Sequence, residues 1–291
     1  MTSGKLNKDA ATGPVRSGGR AARRAVRSAP LDPAIRPIKP GMPGGNFNPL
    51  EPKSVEKIHN AALDALEFIG LLDAPESGVK VLTDAGAIHG SDGRVRFPRS
   101  LVEDMLAVNQ KELVLHARNP KFDLNLFGTN VHYGTAGAAV HVVDVENREY
   151  RDSTVRDLYK AAHIVDQLDN IHFLQRPMVC RNIADNFAMD LNTVYACCSG
   201  TQKHVGISFT EESFVDPIME MLHMIAGNES IWRARPFISN SNCFVVPPMK
   251  FATESCLVME ACIRHGMPVL LLSAGQAGAT APPSIAGAIV Q

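Results

Sequence analysis

The chain of 291 residues lacks the short signatures that usually give a chemistry away. It holds no GxGxxG dinucleotide fingerprint, no GxxxxGK phosphate loop and no GxSxG nucleophile elbow. Its six cysteines, Cys180, Cys197, Cys198, Cys243, Cys256 and Cys262, form no CxxC pair, and structural zinc needs clustered ligands. No secretory apolar segment precedes them, so reduced thiols in a cytoplasmic protein are expected. No apolar run reaches the roughly 18 residues of a membrane span. The formal net charge of -1 gives no general pull toward nucleic acid or membrane.

What is there is a globular composition, 45% hydrophobic and 20% charged, with its charge unevenly placed. Residues 1–30 carry seven basic side chains (Lys5, Lys8, Arg16, Arg20, Arg23, Arg24, Arg27) against Asp9 alone. Small and basic residues without a periodic apolar set bury too little surface to order a chain, so residues 1–49 read as a disordered basic tail. The same composition resembles a transit peptide and would suit an acidic partner.

The organising stretch is 171–291, where one unit recurs. Apolar runs starting at Ile171, His204, Pro236 and Pro268 are spaced by 33, 32 and 32 residues. Each is followed by a polar or glycine-rich loop and then a helical pattern, over 185–198, 212–226, 251–265 and from Ser284 onward. Strands alternating with helices at this spacing predict βαβ units and a parallel sheet. The last pattern carries no stop signal, which predicts that the sequence is the front part of a longer protein.

Ahead of the repeat, 3- and 4-residue apolar spacing predicts helices from Pro52 to Gly70, over 77–85 and over 99–108, with a hairpin around Ser91-Asp92-Gly93. Residues 50–112 are thus a helical segment. Residues 113–152 read as antiparallel strands capping the parallel sheet, and 153–291 as a partial barrel whose first helix is capped by Thr154 or Ser153 with Asp157.

In a parallel α/β sheet the ligand site lies beyond the carboxyl ends of the strands. The residues there are amides, hydroxyls, one arginine and aromatic rings, with no paired carboxylate and no His/Cys/Asp cluster. Such a set suits a polar small molecule. A quaternary ammonium would find cation-π attraction, about 0.5–2 kcal/mol per ring, at Phe209, Phe244 or Tyr133. Arg176 is placed to grip a carboxylate. Gly134 in the Gly134–Gly137 loop lets backbone approach a ligand, and Asn242, Ser273 and Gln276 complete the candidate substrate-binding set. The catalytic residues are not legible, and no metal ligand is assigned. The 275–280 loop resembles a phosphate cradle but lacks its lysine.

Several segments in order carry a family likeness. They are Gly18-Gly19-Arg20-Ala21-Ala22-Arg23-Arg24-Ala25, His116-Ala117-Arg118-Asn119-Pro120, Gly134-Thr135-Ala136-Gly137 with Val142-Val143-Asp144, and Ser153-Thr154-Val155-Arg156-Asp157. Gly278-Ala279-Thr280-Ala281-Pro282, followed by Ala286-Gly287-Ala288-Ile289-Val290-Gln291, closes the series. From about residue 18 onward the chain resembles the trimethylamine methyltransferase family, including its non-pyrrolysine members such as glycine betaine methyltransferases.

The resemblance implies a (β/α)8 TIM barrel, here truncated after about four βα units. It implies an enzyme that passes a methyl group from a methylated or quaternary amine to the Co(I) centre of a separate corrinoid protein. Cobalamin then resides on that partner and is not bound directly. Family members are longer, and the pyrrolysine of the trimethylamine-specific ones lies downstream of this sequence. Co(I) is itself a strong nucleophile, so positioning and water exclusion suffice and a mouth without a general base is expected. Half a barrel would leave two unpaired strand edges, which predicts poor solubility, a homo-oligomer or an inactive chain. Two other readings use the same residues: a zinc-dependent barrel enzyme needing three convergent ligands, from candidates such as His204, Cys243 and His265, and a non-catalytic binder of betaine-like solutes.

Overall fold

The structure, a computed structural model, describes residues 19–29 and 38–291. The chain divides after Ile38 into two units. In the first, Arg20–Ser28 forms helix α1 between extended Gly19 and Ala29. The expected disordered tail is therefore helical here, because Ala and Arg are both strong helix formers. The rest of that tail up to Ile38 lies outside the described residues.

The second unit opens with β1 (Met42–Pro43) and α2 (Pro52–Asp64). Pro52 suits the first helical turn, where its missing N–H costs nothing. The helix widens into a π turn over Ala65–Ile69 and stops at Gly70, whose φ of 73° favours glycine. Helix α3 (Glu76–Asp84), the hairpin of β2 (Ile88–His89) and β3 (Val95–Arg96), and α4 (Arg99–Val108) follow where apolar spacing and turn chemistry placed them.

Residues 113–152 differ from the single insert expected. Strands β4 (Leu113–Leu115) and β5 (Leu124–Leu126) form one hairpin, while β6 (Asn130–Val131) leaves to pair with β1. Strands β7 (His141–Val143) and β8 (Tyr150–Asp152) form another. Arg151 ties this second hairpin to the next helix, reaching Asp144 at 3.1 Å and Asp157 at 2.8 Å. That helix, α5 (Val155–Gln167), begins with the predicted capping box between Thr154 and Asp157.

Then come β9 (Leu174–Gln175), α6 (Asn186–Gly200), β10 (Val205–Ile207), α7 (Val215–Ala226), α8 (Glu229–Ala234) and β11 (Ile238–Val246). After β12 (Lys250–Phe251), helix α9 (Thr253–Arg264), β13 (Val269–Ser273) and α10 (Ile285–Val290) complete the described chain. Strands β9, β10, β11 and β13 are parallel neighbours in that order, as the 32-residue spacing predicts. Short β12 pairs antiparallel with the end of β11. No described helix is long and apolar enough to cross a membrane.

Register assigns the two faces. Leu174, Val205 and Ile238 share one level, and Ile207 and Asn240 the next, on the side that packs against the helices. Leu174, Ile207 and Ile238 are fully buried there with Leu158, Leu222 and Trp232. Each such side chain contributes about 1.5–3 kcal/mol on leaving water. A second, smaller cluster gathers Leu71, Phe251 and Cys256.

The expected pair of bare sheet edges is corrected on one side. Residues 133–139 run parallel along β9, with bridges Gly134–Phe173 and Ala139–Met178. His172 N donates to Tyr133 O at 2.7 Å, and Val179 N to Ala139 O at 2.9 Å. The other edge strand, β13, pairs only with β11 among the described residues, and Leu270 and Leu271 on it are each 52% exposed. Gly134 is required at its position because a Cβ there would enter the Phe173 ring. Gly134→Val is expected to cost about 2 kcal/mol through this overpacking, read as a lower denaturant midpoint.

Candidate functional site

On the sheet face away from the helices, polar side chains line up from the amino to the carboxyl ends of the strands. His204 enters β10 with its Nδ1 2.6 Å from His116 O and its Nε2 2.9 Å from Ser239 Oγ. A carbonyl only accepts, so Nδ1 carries the proton and Nε2 accepts from the Ser239 hydroxyl. Burial lowers the imidazole pKa to about 4. One level on, Gln175 lies across Gly206, whose lack of a side chain makes the room, and donates to Ser241 Oγ at 3.0 Å. Three strands are thereby linked through one amide.

The amino end of this face is closed by the loop of the β4–β5 hairpin. Asn119 reaches Gln202 through its backbone and its side chain. Asp123 accepts from Arg235 at 2.8 Å and from Ala117 N at 2.9 Å, and meets His116 at 2.9 Å. The carboxyl end is open, with Cys243, Ser273 and Gln276 exposed.

Arg176 follows β9 at this open end. Its backbone N donates to Gly206 O at 2.8 Å, while its guanidinium makes no hydrogen bond to a described residue. Its charge is felt by Asp190 of α6. Asp190 is 2% exposed and accepts from Thr210 N at 2.7 Å and Thr210 Oγ1 at 3.0 Å. Burial pushes its carboxyl pKa up, against the Thr210 hydrogen bonds and the pull of Arg176. A carboxylate thus ties α6 to the loop after β10, within electrostatic reach of Arg176, where the strand ends alone suggested none. Asp190 is the only charged residue in Asn186–Gly200, and a helix with a single charge is buried nearly all round, which is the signal that would have found it.

The other predicted residues do not converge on Arg176. Tyr133 is 45% exposed and lies edge-on to His172, 6.0 Å away, beside the start of β9. Gly134 gives its space to Phe173. Phe209 is 9% exposed within the main core, and Phe244 packs 6.4 Å from Phe251 in the second cluster, so the two rings form no joint cage. Asn242 turns to the helical side and donates to Ser255 O at 2.7 Å. Ser273 Oγ donates to Gln291 O at 3.4 Å. Gln276 O takes the amides of Ala279, Thr280 and Ala281 at 2.9–3.1 Å, so the loop folds onto its own carbonyl with these N–H groups turned inward. His204 and His265 serve separate networks and do not meet Cys243, and among the described residues no three His, Cys, Asp or Glu are placed to hold a metal.

Against known proteins, the family model described as trimethylamine methyltransferase (MTTB) matches residues 16–291. Trimethylamine methyltransferase MttB of Desulfitobacterium hafniense is 30% identical over 234 residues, 80% of this chain and 47% of the relative. MttB of Methanosarcina barkeri is 25% identical over 259 residues, 85% of this chain and 51% of the relative. Glycine betaine methyltransferase of Desulfitobacterium hafniense is 24% identical over 245 residues, 84% and 50% of the two chains. The crystal structure of the Methanosarcina barkeri monomethylamine methyltransferase MtmB superposes with a TM-score of 0.43 at 14% identity, over 82% of this chain and 54% of that one. The chain spans about half the length of the curated relatives it matches. With the family model covering all of the second unit and the ordered motifs of the sequence agreeing, the chain belongs to the trimethylamine methyltransferase family.

Proposed function

We propose that this chain takes part in moving a methyl group from a methylated or quaternary amine to the Co(I) centre of a corrinoid carried by a separate protein. The observation that carries the reading is the family match over 16–291, taken with a polar face that is open at the carboxyl ends of the strands. The parallel strands follow one another in sequence order, as in a singly wound (β/α)8 barrel, and this supports that architecture over a doubly wound sheet, whose order reverses. The corrinoid is a second substrate in this scheme, met over the open mouth. What the chain's own residues supply is orientation: Gln175 and Ser241 form a fixed polar floor, and Asp190 and Thr210 hold the loop beside Arg176. A quaternary ammonium leaves as a neutral tertiary amine, so the transfer needs no proton from Asp190. A cytoplasmic location fits this chemistry, since a Co(I) partner requires reducing surroundings.

The test mixes purified protein with a reduced corrinoid protein and a panel of methylamines and betaines, and follows cobalt methylation by absorbance. At least one amine is expected to methylate cobalt. Arg176→Met is expected to raise KM roughly tenfold for a carboxylate-bearing betaine, one charge-assisted contact being worth ~1.5 kcal/mol, and to leave trimethylamine unchanged. Amine binding without any cobalt methylation would replace the transferase with the solute-binding reading.

A further inference from the structure

Away from the mouth, in the outer helical layer, α7, α8 and α9 bring two imidazoles together. His223, in the last turn of α7, and His265, at the end of α9, have ring centroids 6.0 Å apart, with planes inclined at 59°. His265 is fixed from two sides. Its Nε2 lies 2.7 Å from Asp216 Oδ1 of α7, and its carbonyl accepts the Trp232 indole N–H at 2.9 Å. A carboxylate accepts, so Nε2 bears the proton and Nδ1 presents a lone pair. That Nδ1 is buried with no hydrogen-bond partner, and so is His223 Nε2. Two buried, unsatisfied imidazole nitrogens on neighbouring rings form an expensive arrangement unless something occupies them.

A second histidine pair shows why this one is different. His132 and His172 also have centroids 6.0 Å apart and one orphaned nitrogen each. There, however, His172 Nδ1 accepts Tyr133 N–H at 3.0 Å, which leaves the proton on Nε2, while His132 Nε2 donates to Asn125 O at 2.9 Å and leaves a lone pair on Nδ1. One donor faces one acceptor, which suits a bridging water and not a cation. At His265 the lone pair is the free end, and His223, with no hydrogen bond at either nitrogen, can present another.

We propose that His223 and His265 form a site for a divalent first-row transition cation of the zinc type, clamping α7 to α9. The Asp216 carboxylate behind His265 is the orienting partner that ligating histidines commonly use. Two imidazoles favour zinc, nickel or copper over magnesium, which prefers oxygen. With no third His, Cys, Asp or Glu placed to join the two in holding a metal among the described residues, water completes the coordination sphere and binding is micromolar or weaker.

The experiment is titration of the purified chain with zinc chloride by calorimetry, paired with thermal denaturation. One equivalent is expected to bind, with a rise in Tm of a few degrees that a chelator reverses. His223→Gln and His265→Gln are each expected to abolish both effects, and Cys243→Ser, which removes the exposed thiol, to leave them intact. His223→Gln is the decisive variant, because that side chain makes no hydrogen bond whose loss would destabilise the fold. Absence of zinc binding at millimolar concentration, binding that survives His223→Gln, or an equal Tm rise with magnesium would each overturn the site. None of these readouts involves methyl transfer.

Discussion

Lys203→Met is expected to lower the stability of the chain by about 3 kcal/mol, seen as a lower urea midpoint with an unchanged slope. Lys203 is 2% exposed, and its ammonium donates to Val165 O and Leu168 O at 2.7 Å and Ile171 O at 2.6 Å. These carbonyls belong to the end of α5 and the approach to β9, and the last turn of a helix leaves carbonyls without internal partners. One side chain from the approach to β10 therefore satisfies the end of one helix and fixes two strands relative to it. Hydrogen bonds to a charged group contribute ~1.5–3 kcal/mol each, and part of that sum is returned because methionine has no charge to bury. Burial lowers the lysine pKa, in keeping with the cost of desolvating the ammonium. An unchanged midpoint would mean that water reaches those carbonyls.

The second large effect is acid destabilisation through His204. Its folded-state pKa falls from 6.5 to about 4 because burial disfavours the imidazolium. Between those values the unfolded chain binds a proton that the folded chain refuses, so stability is full above pH 6.5 and falls as the pH drops toward 4. The loss reaches about 3 kcal/mol, and most carboxylates titrate below this window. Burial lowers the pKa of His172 as well, so the native protein carries more than one such group. His204→Gln isolates its share: the glutamine amide can donate to His116 O and accept from Ser239 without titrating. The variant's stability is expected to be flatter between pH 6.5 and 4, and an identical pH profile would assign the loss to other groups.

Much of the architecture was legible because its causes are local. The α5 capping box depends on residues three apart, and Gly70 and the Ser91-Asp92-Gly93 turn act on their immediate neighbours. Which strands of 113–152 pair with which was not legible, because β6 found a partner in β1, about ninety residues earlier, and no alternation of apolar residues names a strand's partner. Of the candidate site, the sequence places Arg176, Ser273 and Gln276 at the carboxyl ends of strands, and their positions there follow from strand order alone. Phe209 and Phe244 look equivalent as rings near strand ends, yet they pack into different clusters. Asn242 sits one residue from Ser241, and the two point to opposite faces, so a single step of register decides which can meet a ligand.

The sequence by itself determined the alternation of strand and helix, the parallel order of the four strands and the family, since periodicity and motif order are properties of the chain read in one direction. Only the tertiary structure decided that Gln175 reaches Ser241 across Gly206, that Asp190 comes within electrostatic reach of Arg176, and that His223 faces His265. Those encounters join residues 14 to 66 positions apart. They depend on strand register and on how each helix is turned against the sheet, which are fixed by the packing of the whole core and not by any segment within it.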